Sequence, residues 1–142
     1  MRSCGGCTAC CAILAVNEIG KALHERCRHL REAGCGVYDA RPASCRAFFC
    51  HWVRSGGAEP ERPDLSGVML EPAEVSARGT GIVPFAAYET RPGGLDGYWG
   101  QKILKRVARR ALVGLIPYGG EEPREFIGPP GQVLAGIEWK RR

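Results

Sequence analysis

Apolar residues in the second half of the chain follow two periods, one helical and one extended. The helical period places large apolar side chains four residues apart, at Trp99, Ile103, Val107 and Ala111. This spacing predicts an amphipathic helix over residues 97–113. Asp96 is the expected N-cap of this helix, and Gly114 is its expected C-terminal stop.

Shorter segments around this helix have the features of strands. They cover residues 67–71, 82–89, 115–118, 125–128 and 132–139, with Gly and Pro turns between them. Alternation with a period of two favours strands, and Pro84 indicates a sheet edge or a bulge. Residues 55–64, rich in Gly, Pro and charge, predict a surface loop. The expected fold is α+β, with one long amphipathic helix on a small, mostly antiparallel sheet.

The first half of the chain gives two further helix predictions. The first rests on apolar side chains at helical spacing, at Val16, Ile19, Leu23, Cys27 and Leu30. Taken alone, they predict a helix over residues 17–31. A second helix is expected over residues 41–52, because Pro42 suits a first turn. Five residues turn a helix by about 140°, so Cys45 and Cys50 would serve different sites if that helix persists.

Length and compartment limit what the cysteines can do. The chain has 142 residues, which suits one domain, and all eight cysteines lie in residues 1–54. Residues 1–54 are expected to form a Cys-rich, metal-binding N-terminal lobe, called the lobe below, that packs on the sheet. Residues 55–142 are expected to form the α+β remainder of the same domain. No segment resembles a signal peptide or a membrane span, so a cytoplasmic protein is expected. Clustered thiols in that compartment are typically metal ligands, and a disulfide scaffold is the less favoured alternative.

The cysteines begin with a CxxCxxCC run over residues 4–11, with small residues between them. Its first three cysteines match the first three ligands of bacterial ferredoxin clusters, but the fourth follows too early and no Pro comes after it. His29 and His51 each lie close to a cysteine and are alternative ligands. The candidate metal ligands are Cys4, Cys7, Cys10, Cys11, Cys27, Cys35, Cys45 and Cys50.

These motifs resemble a known family. The CxxCxxCC run, the segment Cys27-Arg28-His29-Leu30 and the GCxxY-RP-C-R-F-C order of residues 34–50 are similar to the YkgJ-like cysteine-cluster family. The resemblance covers residues 4–54 closely and the rest loosely. It implies that the cysteines chelate zinc or iron, without a settled reaction, although some relatives carry the motif beside a lysine N-methylase function. It also implies a loop over residues 17–31, against the helix predicted from spacing.

The metal stays open between zinc and an iron–sulfur cluster. Thiolate zinc sites take four ligands, so eight cysteines would supply either two separate sites or a bridged pair. The ferredoxin-like triplet slightly favours a cluster, which also takes four. Cys11 and Cys50 are the expected bystanders. No group of Ser, His, Asp or Glu residues predicts an active site, so enzyme activity is undecided and no catalytic residue is assigned.

An alternative function uses the basic face of the predicted helix. Five cations and no acid lie between residues 97 and 120, at Lys102, Lys105, Arg106, Arg109 and Arg110. The second hypothesis is therefore a module over residues 97–114 that binds nucleic acid or another acidic partner, with the metal purely structural. No stripe of alternating aromatic and basic residues accompanies the helix. Metal-bound thiolates would also lower the formal charge of +5 to about +1 with two zinc ions, or about +3 with one cluster.

Overall fold

In the computed structural model, the N-terminal half consists of short elements joined by turns. The structure describes residues 2–73, 75–76, 84–131 and 138–139. Short 3₁₀ turns lie at Asn17–Ile19, Tyr38–Ala40 and Glu59–Glu61. The helices and strands of this half are α1 (Ala9–Ile13), β1 (Leu30–Arg31), β2 (Gly34–Cys35), α2 (Ala43–Ala47), α3 (His51–Ser55) and α4 (Pro63–Ser66).

The second half forms the main sheet, and the fold is mixed α+β. Its elements are β3 (Val68–Pro72), β4 (Val75–Ser76), β5 (Pro84–Glu89), α5 (Tyr98–Ala108), β6 (Leu112–Ile116), β7 (Glu125–Ile127) and β8 (Glu138–Trp139). Four strands pair in the order β3-β5-β6-β7. The outer pairs are antiparallel, whereas β5 and β6 are parallel and are joined through the crossover helix α5. A separate antiparallel pair joins β4 to β8.

Both faces of the four-stranded sheet are covered, which explains the continuous apolar runs of its central strands. Val68 and Leu70 on β3 belong to the core beneath α5, which also contains Leu104. Met69 lies between them in the sequence and therefore points to the other face. There it packs in a second core with Trp52 and other residues of α1 and α3. The cysteine-rich half thus covers one face of the sheet, and α5 covers the other.

The helix α5 approaches the chain beneath it at glycines. A Cβ added at Gly100 would contact the carbonyl oxygen of Gly94 and lie 3.0 Å from the Val68 side chain. A Cβ at Gly94 would in turn contact the carbonyl oxygen of Gly67. Gly67 itself has a φ of +82°, which side chains other than glycine rarely adopt. These three positions therefore need glycine for the backbones to come this close.

Two buried carboxylates connect separate parts of the fold. Glu61 lies in the N-terminal half, and its side chain is only 6% exposed. Its oxygens accept hydrogen bonds of 2.7 and 2.8 Å from the guanidinium of Arg106 on α5. At the end of β5, buried Glu89 accepts hydrogen bonds of 3.0 Å from the backbone N–H groups of Leu95 and Tyr118. Each carboxylate therefore holds together segments that are far apart in the sequence.

The observed helix α5 is shorter than the predicted one. Gly97 occupies the N-cap position, and the helix ends at Ala108. The predicted stop, Gly114, lies inside β6, where it pairs with β5 and β7. Pairing in the sheet satisfies the backbone of this segment and overrides its helical apolar pattern. Asp96, the predicted N-cap, lies outside the helix and pairs with Arg124 at 3.2 Å.

The helix predicted over residues 17–31 is wrong. Only the 3₁₀ turn Asn17–Ile19 is helical in this segment. Gly20 and His24 have positive φ angles of 63° and 61°, which interrupt a right-handed helix. The chain then folds back through β1. The apolar side chains of this segment therefore belong to a loop that packs on the rest of the lobe.

The helix predicted over residues 41–52 is divided in two. Phe48 and Cys50, between α2 and α3, both have extended backbone conformations. The rotation expected between Cys45 and Cys50 along one helix therefore does not apply. The predicted loop over residues 55–64 is also partly helical, because it contains the turn Glu59–Glu61 and the start of α4.

The strand predictions agree with the structure where it describes them, with shifted ends. Residues 67–71 and 125–128 correspond to β3 and β7, and residues 115–118 overlap the end of β6. Residues 84–89 form β5, whereas the predicted positions 82–83 and 132–137 lie outside the described residues. The four-stranded sheet combines two antiparallel pairs with one parallel pair at its centre.

Candidate thiol-lined site

The first three cysteines are held by a tight turn that leads into α1. The backbone N–H of Cys7 donates to the carbonyl of Cys4 at 3.1 Å, and Gly5 between them has a φ of +57°. The helix α1 begins at Ala9 and carries Cys10 and Cys11. Small residues in this run allow the sharp turn, as the sequence indicated.

Seven of the eight cysteines line one cavity of about 960 Å³. They come from separate segments of the N-terminal half and are Cys4, Cys7, Cys10, Cys11, Cys27, Cys35 and Cys45. Residues of the sheet, including Glu71 and Tyr88, form another wall of the cavity. The eighth cysteine, Cys50, is buried in the core between the lobe and the sheet, at 8% exposure. The fold therefore gathers thiols that are up to 41 positions apart in the sequence, from Cys4 to Cys45.

Backbone and side-chain hydrogen bonds position the later cysteines. The N–H of Cys27 donates to the carbonyl of Cys11 at 3.0 Å, which joins this loop to α1. In the hairpin of β1 and β2, Cys35 is the register partner of Leu30. The segment containing Cys45 is fixed by Ser44, whose N–H and hydroxyl donate to the carboxylate of Glu18 at 2.9 and 2.8 Å.

The two adjacent cysteines of α1 interact directly. A hydrogen bond from the Cys10 thiol to the Cys11 sulfur lowers the pKa of Cys11 to about 7, with help from the charges of Lys21 and Arg41. The same interaction, together with burial and the neighbouring Cys4 and Cys7, raises the pKa of Cys10. Cys11 is therefore the thiol of this pair that ionises first, near neutral pH.

Burial has the opposite effect on other thiols. It raises the pKa of Cys7 to about 11, because a thiolate loses hydration in the interior. Burial also raises the pKa of Cys45 and Cys50. The charge of Cys11 adds to the effect at Cys45, and that of Cys4 adds to the effect at Cys50. A cation bound among these thiols would favour their ionised forms.

Lys21 is a buried cation in the cavity wall that the sequence did not identify. The residue is only 5% exposed, and its ammonium group donates to the carbonyls of Leu14 and Ala22. Burial lowers its pKa, while nearby Cys27 and Cys11 oppose that shift. The available signal was a lysine within the apolar positions of residues 16–23, which suggested only a helix face. Lys21 brings positive charge to a site rich in potential thiolates.

The three histidines occupy different surroundings. His29 lines the thiol cavity. His51 instead packs edge-on against Phe85, with ring centroids 5.5 Å apart, and burial lowers its pKa. The Nε2 atom of His24 lies 2.6 Å from the carbonyl oxygen of Gly120, and this contact connects the lobe to the turn between β6 and β7. Of the two predicted alternative ligands, only His29 faces the cavity.

The donor set has the right chemistry for soft metal centres. All eight cysteines are free thiols, and thiolates are the ligands that zinc and iron–sulfur clusters use. Within the described part of the chain, however, no three His, Cys, Asp or Glu side chains lie in an arrangement that would hold one metal ion. The cysteines therefore provide the ligand type that these metal centres need, and seven of them line one cavity. The positions of their side chains do not form a coordination site.

A second surface of note lies on the outer face of α5. Tyr98 is 73% exposed, and its ring meets that of Trp99 edge-on at 5.1 Å. The ammonium of Lys102 lies 4.9 Å from the Trp99 ring centroid and 5.8 Å from that of Tyr98. Among the described residues, no ion pair involves the other exposed cations of this face, Lys105, Arg109 and Arg110. Exposed Tyr98 and half-buried Trp99 therefore lie at the start of the basic face. The sequence analysis predicted the basic face but not these aromatic neighbours.

None of the protein-family models, curated proteins or solved structures compared with the chain matches it. The similarity to the YkgJ-like cysteine-cluster family therefore rests on the motifs of residues 4–54 alone. Across the described ranges, none of the helices has the length and apolar character needed to cross a bilayer.

Proposed function

We propose that this protein binds metal through its clustered cysteines, as zinc or as an iron–sulfur cluster. One observation carries the proposal, namely that seven cysteines from separate segments line the same cavity. Cysteines that only fill space in the core would not be expected to line a single cavity. The eighth, Cys50, lies in the core that Cys4, Cys7 and Cys10 pack against, and it completes the donor pool.

Within this proposal, the chain's own groups prepare the site for cations. The hydrogen bond from the Cys10 thiol and the charge of Lys21 lower the pKa of Cys11, so they favour the thiolate form that binds metal. The small residues of the CxxCxxCC run let backbone amides approach sulfur. A bound zinc ion would cross-link the looped segments, and an iron–sulfur cluster would also supply an electron-transfer centre. The proposal includes a reducing compartment, the cytoplasm, where thiols stay available for metals.

The test is anaerobic purification followed by elemental analysis, a thiol assay and an absorption spectrum. We expect bound metal, with the ferredoxin-like spacing favouring a brown protein that contains iron and sulfide. A colourless protein with stoichiometric zinc would exclude the cluster but support chelation. A metal-free protein without free thiols would overturn the proposal in favour of disulfides.

The geometry around Tyr98 supports a second candidate function, the binding of single-stranded nucleic acid along α5. Proteins of this kind combine exposed aromatic rings, on which bases stack, with cations that follow the phosphate backbone. Tyr98 and Lys102 provide the first turn of such a face, and Lys105 and Arg109 continue it in exposed positions. Arg106, in contrast, is engaged by Glu61. In this alternative the metal only stabilises the lobe.

Fluorescence anisotropy with a labelled single-stranded oligonucleotide would test this second candidate. Tyr98→Ala should weaken binding about 5- to 150-fold, because stacking contributes about 1–3 kcal/mol per base. Tyr38→Ala is the matched control, since Tyr38 is also exposed but lines the thiol cavity in the half of the chain that covers the opposite face of the sheet from α5. Equal weakening by both variants, or no binding at low salt, would remove the candidate. Equally tight binding of polyglutamate would point to an acidic protein partner instead.

A further inference from the structure

We propose that the thiol-lined cavity also binds an organic anion, a molecule with an apolar body and a carboxylate head, and that Lys21 and Arg41 bind the head. This inference deepens the proposed function, because it names a second occupant of the cavity in which metal is proposed to bind. It rests on that function in one respect, since the ligand and the metal share the cavity. Its argument uses the size of the cavity, its apolar walls and its two cations.

The cavity is larger than metal binding requires. A zinc ion lies about 2.3 Å from its sulfur ligands, and a sphere of that radius has a volume of about 50 Å³. Two such spheres would occupy about a tenth of the cavity, whose volume is about 960 Å³. Sites for small organic molecules have volumes of about 300–1,000 Å³. The cavity therefore has room for an organic molecule beside a metal centre.

The walls of the cavity are mostly apolar, which is typical of sites for organic molecules. Aromatic rings line it from both halves of the chain, with Tyr38 and Phe48 in the lobe and Tyr88 in the sheet. Half-buried aliphatic side chains line it as well, at Leu14, Leu23 and Val37. A metal ion alone would leave these groups in contact with water, whereas an apolar ligand would remove them from water and gain hydrophobic free energy.

Lys21 supplies a buried positive charge to the lobe side of the cavity. Its hydrogen bonds to the carbonyls of Leu14 and Ala22 use two of the three donors of an ammonium group. Among the described residues, no carboxylate forms an ion pair with it. Cys11 and Cys27 lie near the ammonium, but a bound metal would take up the charge of their thiolates. A buried cation is costly without a counter-ion, and an anionic ligand would supply one.

Arg41 adds a second cation to this side of the cavity. Its guanidinium lies 3.8 Å from the ring centroid of Tyr38, and its Nε donates to the Tyr38 carbonyl at 2.8 Å. The two terminal nitrogens of a guanidinium suit bidentate binding of a carboxylate. Arg41 forms no ion pair within the part of the chain that the structure describes. Arg41 and Lys21 both act on Cys11, so the two cations lie at the same end of the cavity.

The acidic residues of the cavity wall leave this end cationic. Glu18 accepts hydrogen bonds of 2.9 and 2.8 Å from the N–H and the hydroxyl of Ser44. Glu71 belongs to β3, and Glu121 belongs to the turn between β6 and β7, so both come from the sheet side of the cavity. The cavity therefore combines apolar walls with a cationic end in the lobe, which suits an organic anion.

Decanoate is a suitable probe, and 1-decanol is its uncharged match, because the two share a chain and differ in the head. Isothermal titration calorimetry of the reduced full-length protein measures the binding of each, with the protein metal-free and with the protein loaded with Zn²⁺. We expect one decanoate per chain in both states. Decanol should bind about 10- to 150-fold more weakly, since it cannot form hydrogen bonds between two charged groups. Lys21→Met should weaken decanoate binding by a similar factor, whereas Lys102→Met, on the outer face of α5, should leave it unchanged.

Two further measurements check the location of the ligand and the folding of the variants. Bound decanoate should slow the reaction of Cys27 with N-ethylmaleimide in the metal-free protein, as followed by mass spectrometry, because Cys27 lines the cavity near Lys21. Far-UV circular dichroism shows whether each variant has folded. If Lys21→Met fails to fold because Lys21 is buried, Arg41→Met tests the cationic end at a half-buried position.

The inference is overturned if decanoate binds in neither state, if decanol binds as tightly as decanoate, or if the folded variants bind decanoate as tightly as the wild type. Unchanged reactivity of Cys27 in the presence of bound decanoate would also overturn it, because the ligand would then lie elsewhere. A protein that binds zinc but no decanoate would support the metal site and overturn this inference alone. A protein that binds decanoate but no zinc would overturn the proposed metal binding alone, so the two failures are distinguishable.

Discussion

The ion pair between Glu61 and Arg106 offers a quantitative test of how the N-terminal half is joined to α5. Arg106→Ala removes two charge-assisted hydrogen bonds of 2.7 and 2.8 Å and leaves a carboxylate whose side chain is 6% exposed. Loss of one partner of a fully buried pair costs about 3–5 kcal/mol. Because the Arg106 side chain is 47% exposed, water reaches the pair, and we expect a smaller loss of about 2 kcal/mol. This corresponds to a melting temperature about 6–8 °C lower for a chain of this size.

The acidity of Glu61 gives this prediction a pH dependence. Hydrogen bonds and charge from Arg106 hold the pKa of Glu61 below its ordinary value of 4.5. A lowered pKa in the folded state adds stability above the ordinary value, and that stability is lost as the pH falls through the folded-state pKa. The difference between wild type and Arg106→Ala should therefore be full at neutral pH and should shrink below about pH 4.

Urea unfolding of the wild type and the variants, at equal metal loading and at two pH values, measures both effects. Arg109→Ala is the matched control, because it removes an exposed arginine of the same face and should change stability by less than about 0.5 kcal/mol. If Arg106→Ala is no more destabilising than Arg109→Ala, or if its effect grows in acid, the buried pair does not stabilise the fold as argued.

Two further substitutions test the close packing and the second buried carboxylate. Gly100→Ala should destabilise the protein by about 1–3 kcal/mol, because its Cβ would contact the Gly94 carbonyl. The control Lys105→Ala, on the exposed side of α5, should be nearly neutral. Equal melting temperatures for the two variants would contradict this prediction. Glu89→Gln should cost about 1–3 kcal/mol, since an amide that replaces one oxygen with N–H cannot accept both backbone hydrogen bonds; unchanged stability in urea would count against that role.

The sequence indicated the fold class because strand and helix patterns are local. β3 and the start of α5 could be found from apolar periodicity and turn residues. The end of α5 could not, because Ala111 continues the helical spacing and Gly114 is a typical helix stop, whereas residues 112–116 pair with the parallel strand β5. Helical spacing over residues 17–31 misled for a related reason. The positive φ of His24 is a local backbone conformation that the spacing of apolar residues does not predict.

The candidate site was predictable in its residue types and less so in its arrangement. The CxxCxxCC run and the four later cysteines could be identified as candidate donors, since clusters of cysteines are visible in any sequence. Their convergence depends on long-range pairings such as the hydrogen bond from Cys27 to Cys11. The break between α2 and α3 likewise sets the position of Cys50, and an extended pair of residues inside a helical pattern has no strong sequence signal. Lys21 was missed because burial of a cation is decided by its surroundings.

The parallel pair at the centre of the sheet has a consequence for how the protein is made. The core beneath the cysteine-rich half includes Ile116 of β6, the strand that follows the crossover helix. A ribosome adds about 5–20 residues per second, so Ile116 is added about 3–12 seconds after residue 54. During that interval the thiols of the nascent chain have already been synthesised, but the sheet that supports them is incomplete. The order of synthesis therefore exposes the cysteines to metal ions, and to oxidants, before their native support has formed.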